Sequence, residues 1–303
     1  MAIGFGVGFI EGTIGQQGGN PPHPPSPRLG ALSPGGGEGQ AWKARAKTPN
    51  FGAAQKQGDE MAFTSWRGVV GNIKPTMRPG SVEELCRILP DGVGIIPLFL
   101  DIQRGAREEF THIIPHYEPL IAKLADCEVD LIHPEGAPPF MVLGYKGEAD
   151  LIKKWEKKYK IPVFTSGTNH IRALNALKVK RFIGASYFSG KINATFAQYF
   201  VDAGFDVLGM EGIEVPFQEV GNLSGEMVYA HVKKIFLKHR EAEGIYLLGS
   251  GWRVMGIIDM LERDLGIPVI HPVPARCWEI QRRLMINHPV SGYGRLLSEM
   301  LPG

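Results

Sequence analysis

The alternation of short apolar runs with helical segments constrains the fold of this chain more than any other feature. The clearest example is the apolar run at residues 245–248, which is followed by a helical pattern at 255–266 and a second apolar run at 267–272. Continuous runs of this kind are typical of strands that helices cover on both faces, as in a parallel sheet. The sequence therefore predicts an α/β fold with mainly parallel sheets flanked by helices.

The run at 245–248 ends abruptly in Gly249, Ser250 and Gly251. Ligands of open α/β sheets bind beyond the carboxyl ends of the strands, and glycines let a ligand approach the backbone closely. Serine also caps helices routinely, and LGSGW lacks the G-x-S-x-G pattern of a serine nucleophile. Considered alone, Ser250 is better explained as a helix cap, although its place at a strand end makes it a candidate site residue.

A weak internal repeat gives Ser250 a counterpart earlier in the chain. VDLIHPEG (129–136), a helix and IPVFTS (161–166) recur as GIYLLGSG (244–251), a helix and IPVIHP (267–272). Superposition of the two patterns places Glu135 and Gly136 on Ser250 and Gly251. If each pattern belongs to its own lobe, Glu135 and Ser250 lie on opposite walls of one cleft.

Glu135 follows an apolar strand and a His-Pro pair, which is an unusual place for a carboxylate. One interpretation is a solvated loop acid or an acid at a helix N-terminus. The alternative is a partly desolvated general acid or base with a raised pKa. His133, two residues earlier, is more often a core imidazole than a ligand contact, while Tyr187 and Lys74 follow other strands and are candidate contacts for an anionic ligand.

Residues 1–60 differ from the rest of the chain. They hold 14 of the 39 glycines and 7 of the 23 prolines and contain few apolar residues. A segment of this composition cannot bury a core, so we expect a disordered tail that is not necessarily part of the native protein, with Met61 as an alternative start. Residues 61–303 form the predicted two-lobed domain.

Composition argues against several classes of protein. The net charge of +2 offers no electrostatic basis for binding nucleic acid, and no apolar run reaches the length of a membrane span. Three widely spaced cysteines suit a reducing cytoplasm and lack zinc spacing. Without a dinucleotide or phosphate-loop motif, we expect a cytoplasmic protein without metal or cofactor that acts on a small molecule, and homo-oligomer formation stays open.

From about Arg67 onward the chain resembles the aspartate/glutamate racemase superfamily, and within it the arylmalonate decarboxylase and maleate isomerase branch. The resemblance rests on the strand order and on KVKRFIGASYFSGKIN (178–193), EGIYLLGSGWRVMGIIDMLERDLGIPVIHPVPARCWE (243–279) and SGYGRLL (291–297). It implies two pseudo-symmetric α/β lobes with the active site between them. We expect one lobe near 61–170 together with the C-terminal helix, and the other near 171–285.

The resemblance also implies cofactor-free chemistry at a carbon next to a carboxylate, with a cysteine from one lobe or both moving the proton. The second-lobe cysteine position falls on Ser250 and the first-lobe position on or beside Glu135, so both thiols are replaced. Tyr187 matches the family tyrosine that holds the substrate carboxylate. Gly136 and Ala137 replace hydroxyl residues of the anion loop, so their backbone N–H groups would bind the anion. The remaining candidate substrate-binding residues are Gly251, Lys74, His133 and Asn193.

Three functions follow as hypotheses. The first is a cofactor-free decarboxylase or isomerase that acts on a small carboxylate through an enolate-like state, with Glu135 as the acid or base and Ser250 as its polar partner. The second is a hydrolase in which Ser250 is the nucleophile and Glu135 or His133 the base. The third is a carboxylate-binding protein without catalytic activity. We favour the first because polar residues, rather than apolar ones, stand at the two cysteine positions.

Overall fold

The computed structural model describes residues 65–188 and 190–303. The predicted disordered tail at 1–60 lies outside the described residues. In the first half of the described chain, strands and helices alternate from the start. The elements are β1 (Gly68–Lys74), α1 (Ser81–Ile88), β2 (Val93–Phe99), α2 (Arg107–Asp126), β3 (Leu131–Pro134), α3 (Ala137–Leu143), α4 (Tyr145–Tyr159) and α5 (Ser166–Ala176).

The second half repeats this alternation. Its elements are β4 (Arg181–Ser186), α6 (Ile192–Asp202), β5 (Asp206–Gly212), a 3-10 helix (Phe217–Asn222), α7 (Gly225–Lys238), β6 (Gly244–Leu248), a 3-10 helix (Met255–Ile257), α8 (Ile258–Leu265), β7 (Val269–Ile270), α9 (Pro272–Arg283) and α10 (Arg295–Ser298).

The strands form two parallel sheets with equivalent topology. The first has the order β2-β1-β3, and a parallel bridge between Ile132 and Val163 adds a fourth, minimal member beside β3. The second has the order β5-β4-β6-β7. Both follow the order second, first, third, fourth along the chain. The predicted α/β fold with parallel sheets flanked by helices is thus confirmed, whereas the lobe boundaries stay a prediction.

The central strands are the most deeply buried elements. All five residues of β6 are buried, and its pairing with β4 and β7 leaves no free strand edge over Ile245 and Tyr246. Each large apolar side chain removed from water here contributes about 1.5–3 kcal/mol. The main apolar core contains residues of both sheets, such as Val70 from β1 and Leu247 from β6, so the two lobes share one core.

Helix α2 departs from its sequence pattern. Pro115 and Pro119 predict a kink or a break, because proline lacks an N–H and clashes with the preceding turn. The helix nevertheless runs without interruption from Arg107 to Asp126, so a break is wrong. Its Tyr117, Ile121 and Leu124 are fully buried, and this packing offsets the unfavourable prolines. Among the described residues, no helix is both long and apolar enough to cross a membrane.

Candidate active site

A cavity lies at the carboxyl ends of both sheets. Strand β3 ends at Pro134 and β6 at Leu248, so Glu135 and Gly249 are the first residues beyond them. The space between the lining atoms, open solvent included, is about 620 Å³. Polar or charged lining residues come from both lobes: Lys74, Thr76, Arg78, Ser81, Glu135, Ser166, His170, Tyr187, Ser250 and Arg276.

Glu135 and Ser250 meet across this cavity. The Ser250 hydroxyl donates a hydrogen bond of 3.0 Å to Oε1 of Glu135. Ser250 caps neither the 3-10 helix at Met255 nor α8, whose N-cap residues are Val254 and Ile257, so the simpler explanation of Ser250 as a helix cap is wrong. The internal repeat therefore placed two side chains in contact that stand 115 residues apart.

The Glu135 carboxylate is fully engaged. Oε1 accepts hydrogen bonds from Ser81 (2.9 Å) and Ser250 (3.0 Å), and Oε2 accepts from Asn72 (3.1 Å) and from Nη1 of Arg276 (2.9 Å). Nη2 of Arg276 lies 2.8 Å from Oε1 and completes a two-pronged ion pair. Only 2% of Glu135 is exposed.

These contacts reverse the expected acidity of Glu135. Burial alone would raise its pKa, but the charge and hydrogen bonds of Arg276, aided by Asn72, hold the pKa at about 2. The predicted raised pKa is therefore wrong. Because the carboxylate stays ionised at neutral pH, Glu135 can accept hydrogen bonds but has no proton to donate.

Arg276 is the site residue that sequence reasoning missed. It lies in the first half of α9, is 1% exposed and stands among apolar neighbours such as Ala275 and Trp278. Arginine is almost never fully buried without a partner. An arginine within an apolar stretch just after a strand end was the available signal, although nothing in that stretch names Glu135 as the partner.

Lys74 ends β1 and lines the cavity, but its ammonium group is occupied. Nζ donates to the carbonyl oxygen (3.0 Å) and hydroxyl (3.1 Å) of Thr76 and to the carbonyl oxygen of Arg78. Burial lowers the pKa of Lys74, while nearby Glu135 opposes this shift. These bonds hold the following loop, and the contact of Lys74 with an anionic ligand stays a prediction.

Tyr187 reaches the loop after β6 because glycines leave room for it. A Cβ atom at Gly249 would overlap the Tyr187 ring, and the φ of 103° at Gly249 disfavours any other residue. The backbone N–H of Gly251 donates to the Tyr187 hydroxyl oxygen at 3.3 Å. Burial raises the pKa of Tyr187, so its phenol keeps the proton with which it can hydrogen-bond a carboxylate.

The predicted anion loop is only partly available. The N–H of Gly136 already donates to Ser166 Oγ at 3.1 Å. Ala137 begins α3, and the next two residues, Pro138 and Pro139, carry no N–H. Residues 136–139 all line the cavity. Two N–H groups were expected to bind the anion, and the one on Gly136 is already bonded to Ser166.

Two predicted substrate-binding residues, His133 and Asn193, are not among the described residues that line the cavity. His133 is stacked on Phe164, and its Nδ1 lies 2.9 Å from the Phe164 carbonyl oxygen. Burial lowers its pKa to about 3, so it is a neutral core imidazole. Asn193 bonds to Ser186 and to the carbonyl oxygen of Phe188, which fixes the chain after β4. The interpretation of His133 as a core imidazole is therefore the one that the structure supports.

The described lining carries an excess of positive charge. Its cations are Lys74, Arg78 and Arg276, and its one carboxylate is Glu135. His170 also lines the cavity, but burial lowers its pKa well below the ordinary value and keeps it neutral. Once Arg276 has neutralised Glu135, two cations remain, so the cavity favours an anion.

A family model described as arylmalonate decarboxylase matches residues 83–297. The chain belongs to the arylmalonate decarboxylase family. An arylmalonate decarboxylase of Bordetella bronchiseptica is 24% identical over 244 residues, which cover 74% of this chain and 100% of the relative.

Two solved structures of maleate isomerases have the same fold as this chain. The maleate isomerase Iso of Pseudomonas putida S16 superposes with a TM-score of 0.71 at 17% identity, covering 77% of this chain and 99% of the isomerase. A Nocardia farcinica maleate cis-trans isomerase mutant, solved with a covalently bound succinylcysteine intermediate, has a TM-score of 0.71 at 20% identity, covering 77% of this chain and 98% of that one.

The cysteines of this arylmalonate decarboxylase family member lie away from the described cavity lining. Cys86 and Cys127 are exposed, whereas Cys277 is buried. The Cys277 thiol donates to the Ile88 carbonyl oxygen at 3.3 Å, and burial raises its pKa to about 12. A thiol of this kind is neither nucleophilic nor a proton carrier at neutral pH.

Proposed function

We propose that this chain is a cofactor-independent enzyme of the decarboxylase or isomerase type, which acts on a small carboxylate through an enolate-like intermediate. The observation that carries the proposal is the cavity itself, where the strand ends of both lobes enclose an excess of two cations beside uncharged hydroxyl groups. Membership of the arylmalonate decarboxylase family supports the same reaction class and favours neither a serine hydrolase nor a carboxylate-binding protein without activity.

Substrate binding depends on charge and on the loop after β6. The excess positive charge draws the carboxylate into the cavity, where hydrogen bonds to buried donors are stronger than in water. The Tyr187 hydroxyl and the loop that contains Gly251 form one wall of that space. Preorganised donors stabilise an enediolate more than the starting carboxylate, because negative charge develops on the oxygen atoms.

In a decarboxylation, the bond between the α-carbon and the departing carboxylate breaks. Its electron pair forms the enediolate of the retained carboxylate, and carbon dioxide leaves. A proton then adds to the α-carbon. In the isomerisation of maleate, the Ser250 oxygen adds to one carbon of the double bond while its proton passes to Glu135, and the electron pair of the double bond forms the enediolate of the neighbouring carboxylate. The remaining single bond rotates, the carbon–oxygen bond then breaks as the double bond forms again, and Glu135 returns the proton to Ser250. The decarboxylation requires, in addition, a group that can exchange protons with solvent.

Ser250 is the group we assign to proton exchange. It lines both the cavity and an outer groove, so its hydroxyl lies between solvent and the reacting carbon. The ionised Glu135 accepts the Ser250 hydroxyl hydrogen and holds the Ser250 oxygen in place, and the hydroxyl turns from Glu135 toward the α-carbon when it gives up its proton. As Ser250 gives its proton to the α-carbon, a solvent proton replaces it, so the net proton comes from water. Glu135 is the acceptor that orients this relay.

Turnover of disubstituted malonates and of maleate tests the proposal. We expect wild-type protein to release carbon dioxide from a malonate or to isomerise maleate, and Ser250→Ala and Glu135→Gln to lose most of that activity. A relay or base contributes typically 10²–10⁴-fold to a rate, which sets the expected loss. Wild-type turnover in both variants would remove the two residues from the mechanism.

Cys277→Ala serves as the matched control, because Cys277 neighbours Arg276 but contacts Ile88 rather than the cavity. We expect it to retain turnover. Alkylation of the exposed Cys86 and Cys127 with iodoacetamide should also leave turnover intact. Loss of activity on alkylation would favour a thiol mechanism instead.

A further inference from the structure

The loop between β1 and α1 carries a second arginine, Arg78, that no sequence motif singled out. Lys74 holds this loop through its bonds to Thr76 and to the Arg78 carbonyl oxygen. The backbone at Arg78 is thus anchored to the end of β1 by a buried ammonium group. This anchoring directs the Arg78 side chain across the mouth of the cavity.

The Arg78 side chain reaches the second lobe. Its guanidinium lies 4.0 Å from the centre of the Phe217 ring, and Nη1 donates to the Phe217 carbonyl oxygen. Stacking on an aromatic face leaves the edge of the guanidinium free for hydrogen bonds. Nε is buried and has no hydrogen-bond partner within the described part of the chain.

The free edge of Arg78 and the Tyr187 hydroxyl converge on Gly251. A Cβ atom built at Gly251 would lie 3.4 Å from Nη2 of Arg78 and 3.0 Å from the Tyr187 hydroxyl oxygen. Gly251 therefore lets a cationic donor and a phenol both approach its backbone closely. Ser250, immediately before Gly251, lines the same cavity as Arg78 and Tyr187.

We propose that Arg78 is a substrate-binding residue that binds one carboxylate oxygen in the cavity beside Gly251, together with the Tyr187 hydroxyl. This inference rests on the proposed function, because it assumes that the ligand of the cavity is a carboxylate. Arg78 fixes which end of the substrate lies beside Ser250, and its contact with Phe217 brings both lobes to the bound molecule. Lys74 acts as a positioning residue for this loop.

Direct binding tests the inference without requiring turnover. Isothermal titration of malonate and of maleate into Arg78→Met should give affinities roughly tenfold or more weaker than wild type, the size expected for a hydrogen bond to a charged group. Arg78→Lys keeps the charge but loses the planar fork, so its affinity should fall between the two.

Arg253→Met is the matched control, because Arg253 is exposed in the outer groove and is not part of the described cavity lining. It should bind malonate within about twofold of wild type, since charge at an exposed site is screened. Undiminished affinity in a folded Arg78→Met variant would overturn the inference. Equal weakening in Arg253→Met would also overturn it, by showing that only overall charge matters. A third outcome separates the two proposals. If wild type turns over neither malonates nor maleate, but still binds them more tightly than Arg78→Met does, the result counts against the proposed function and not against this inference.

Discussion

Two buried glutamates in the same half of the molecule have pKa values shifted in opposite directions from the ordinary value of 4.5. Glu135, beyond β3, pairs with Arg276, and its pKa falls to about 2. Glu148, in α4, receives hydrogen bonds from the hydroxyls of Thr165 and Tyr199. Burial raises the pKa of Glu148 to about 7, and these hydrogen bonds oppose the shift only in part.

The difference shows that a cation, rather than burial or hydrogen bonding alone, decides the charge state. Both side chains are almost inaccessible, and both carboxylates accept hydrogen bonds from neutral groups. Of these two glutamates, only Glu135 has a guanidinium within ion-pair distance in the described part of the chain. Glu135 faces the cavity, where a fixed negative charge can orient Ser250, whereas Glu148 is not part of the described lining. Removing or adding the charge partner therefore tests the comparison.

The largest expected effect comes from removing that partner. Arg276→Met leaves Glu135 buried without its cation, which places it in the situation of Glu148. Breaking a buried ion pair on one side costs about 3–5 kcal/mol of stability. Urea unfolding at pH 7 measures the loss.

The double variant Glu135→Gln, Arg276→Met supplies the control. With both charges gone, stability should recover much of the loss, because no uncompensated charge remains. If the free energy of unfolding of the single Arg276→Met variant is within about 1 kcal/mol of the wild-type value, the ion pair does not determine the charge state of Glu135.

Glu148 should make stability depend on pH near neutrality. Its folded pKa of about 7 exceeds the ordinary value of 4.5, so its contribution is full below pH 4.5 and is lost as pH rises through 7. The loss amounts to at most roughly 3 kcal/mol. Glu148→Gln should flatten this part of the stability curve and exceed wild type in stability at pH 8. A slope unchanged in the variant would place the titration elsewhere.

Because of Glu135, we expect the stability of the protein to depend on pH in the opposite direction at lower pH. Its folded pKa of about 2 lies below 4.5, so its contribution is present above pH 4.5 and is lost as pH falls toward 2. Urea midpoints measured from pH 5 to pH 2 should fall for wild type and fall less for Glu135→Gln. Parallel curves for the two proteins would contradict the low pKa.

The sequence predicts the position of these residues better than their chemistry. Apolar runs such as 245–248 indicate buried parallel strands, and the repeat aligns Glu135 with Ser250 because equivalent strands of equivalent sheets end at the same edge. The acidity of Glu135 depends on Arg276, which is 141 residues away on α9 and is brought close only by tertiary packing. No local sequence pattern encodes that contact, so the direction of the Glu135 pKa shift cannot be predicted from the sequence.

The smallest expected effects come from two variants that each remove one hydroxyl donor, one from the Glu135 carboxylate and one from the Glu148 carboxylate. Ser81→Ala takes one donor from Glu135, which keeps Arg276, Asn72 and Ser250. It should cost about 1–2 kcal/mol and leave the acid-side slope in place. Thr165→Val takes a donor from Glu148, which has no cation to hold its charge, so the folded pKa of Glu148 should rise and the pH-dependent loss of stability should continue to a higher pH than in wild type. Stability curves from pH 2 to pH 9 distinguish the two, because a carboxylate anchored by an ion pair tolerates the loss of a neutral donor, whereas one without it shifts its titration. Equal shifts in both variants would mean that hydroxyl donors, rather than Arg276, set the difference between the two glutamates.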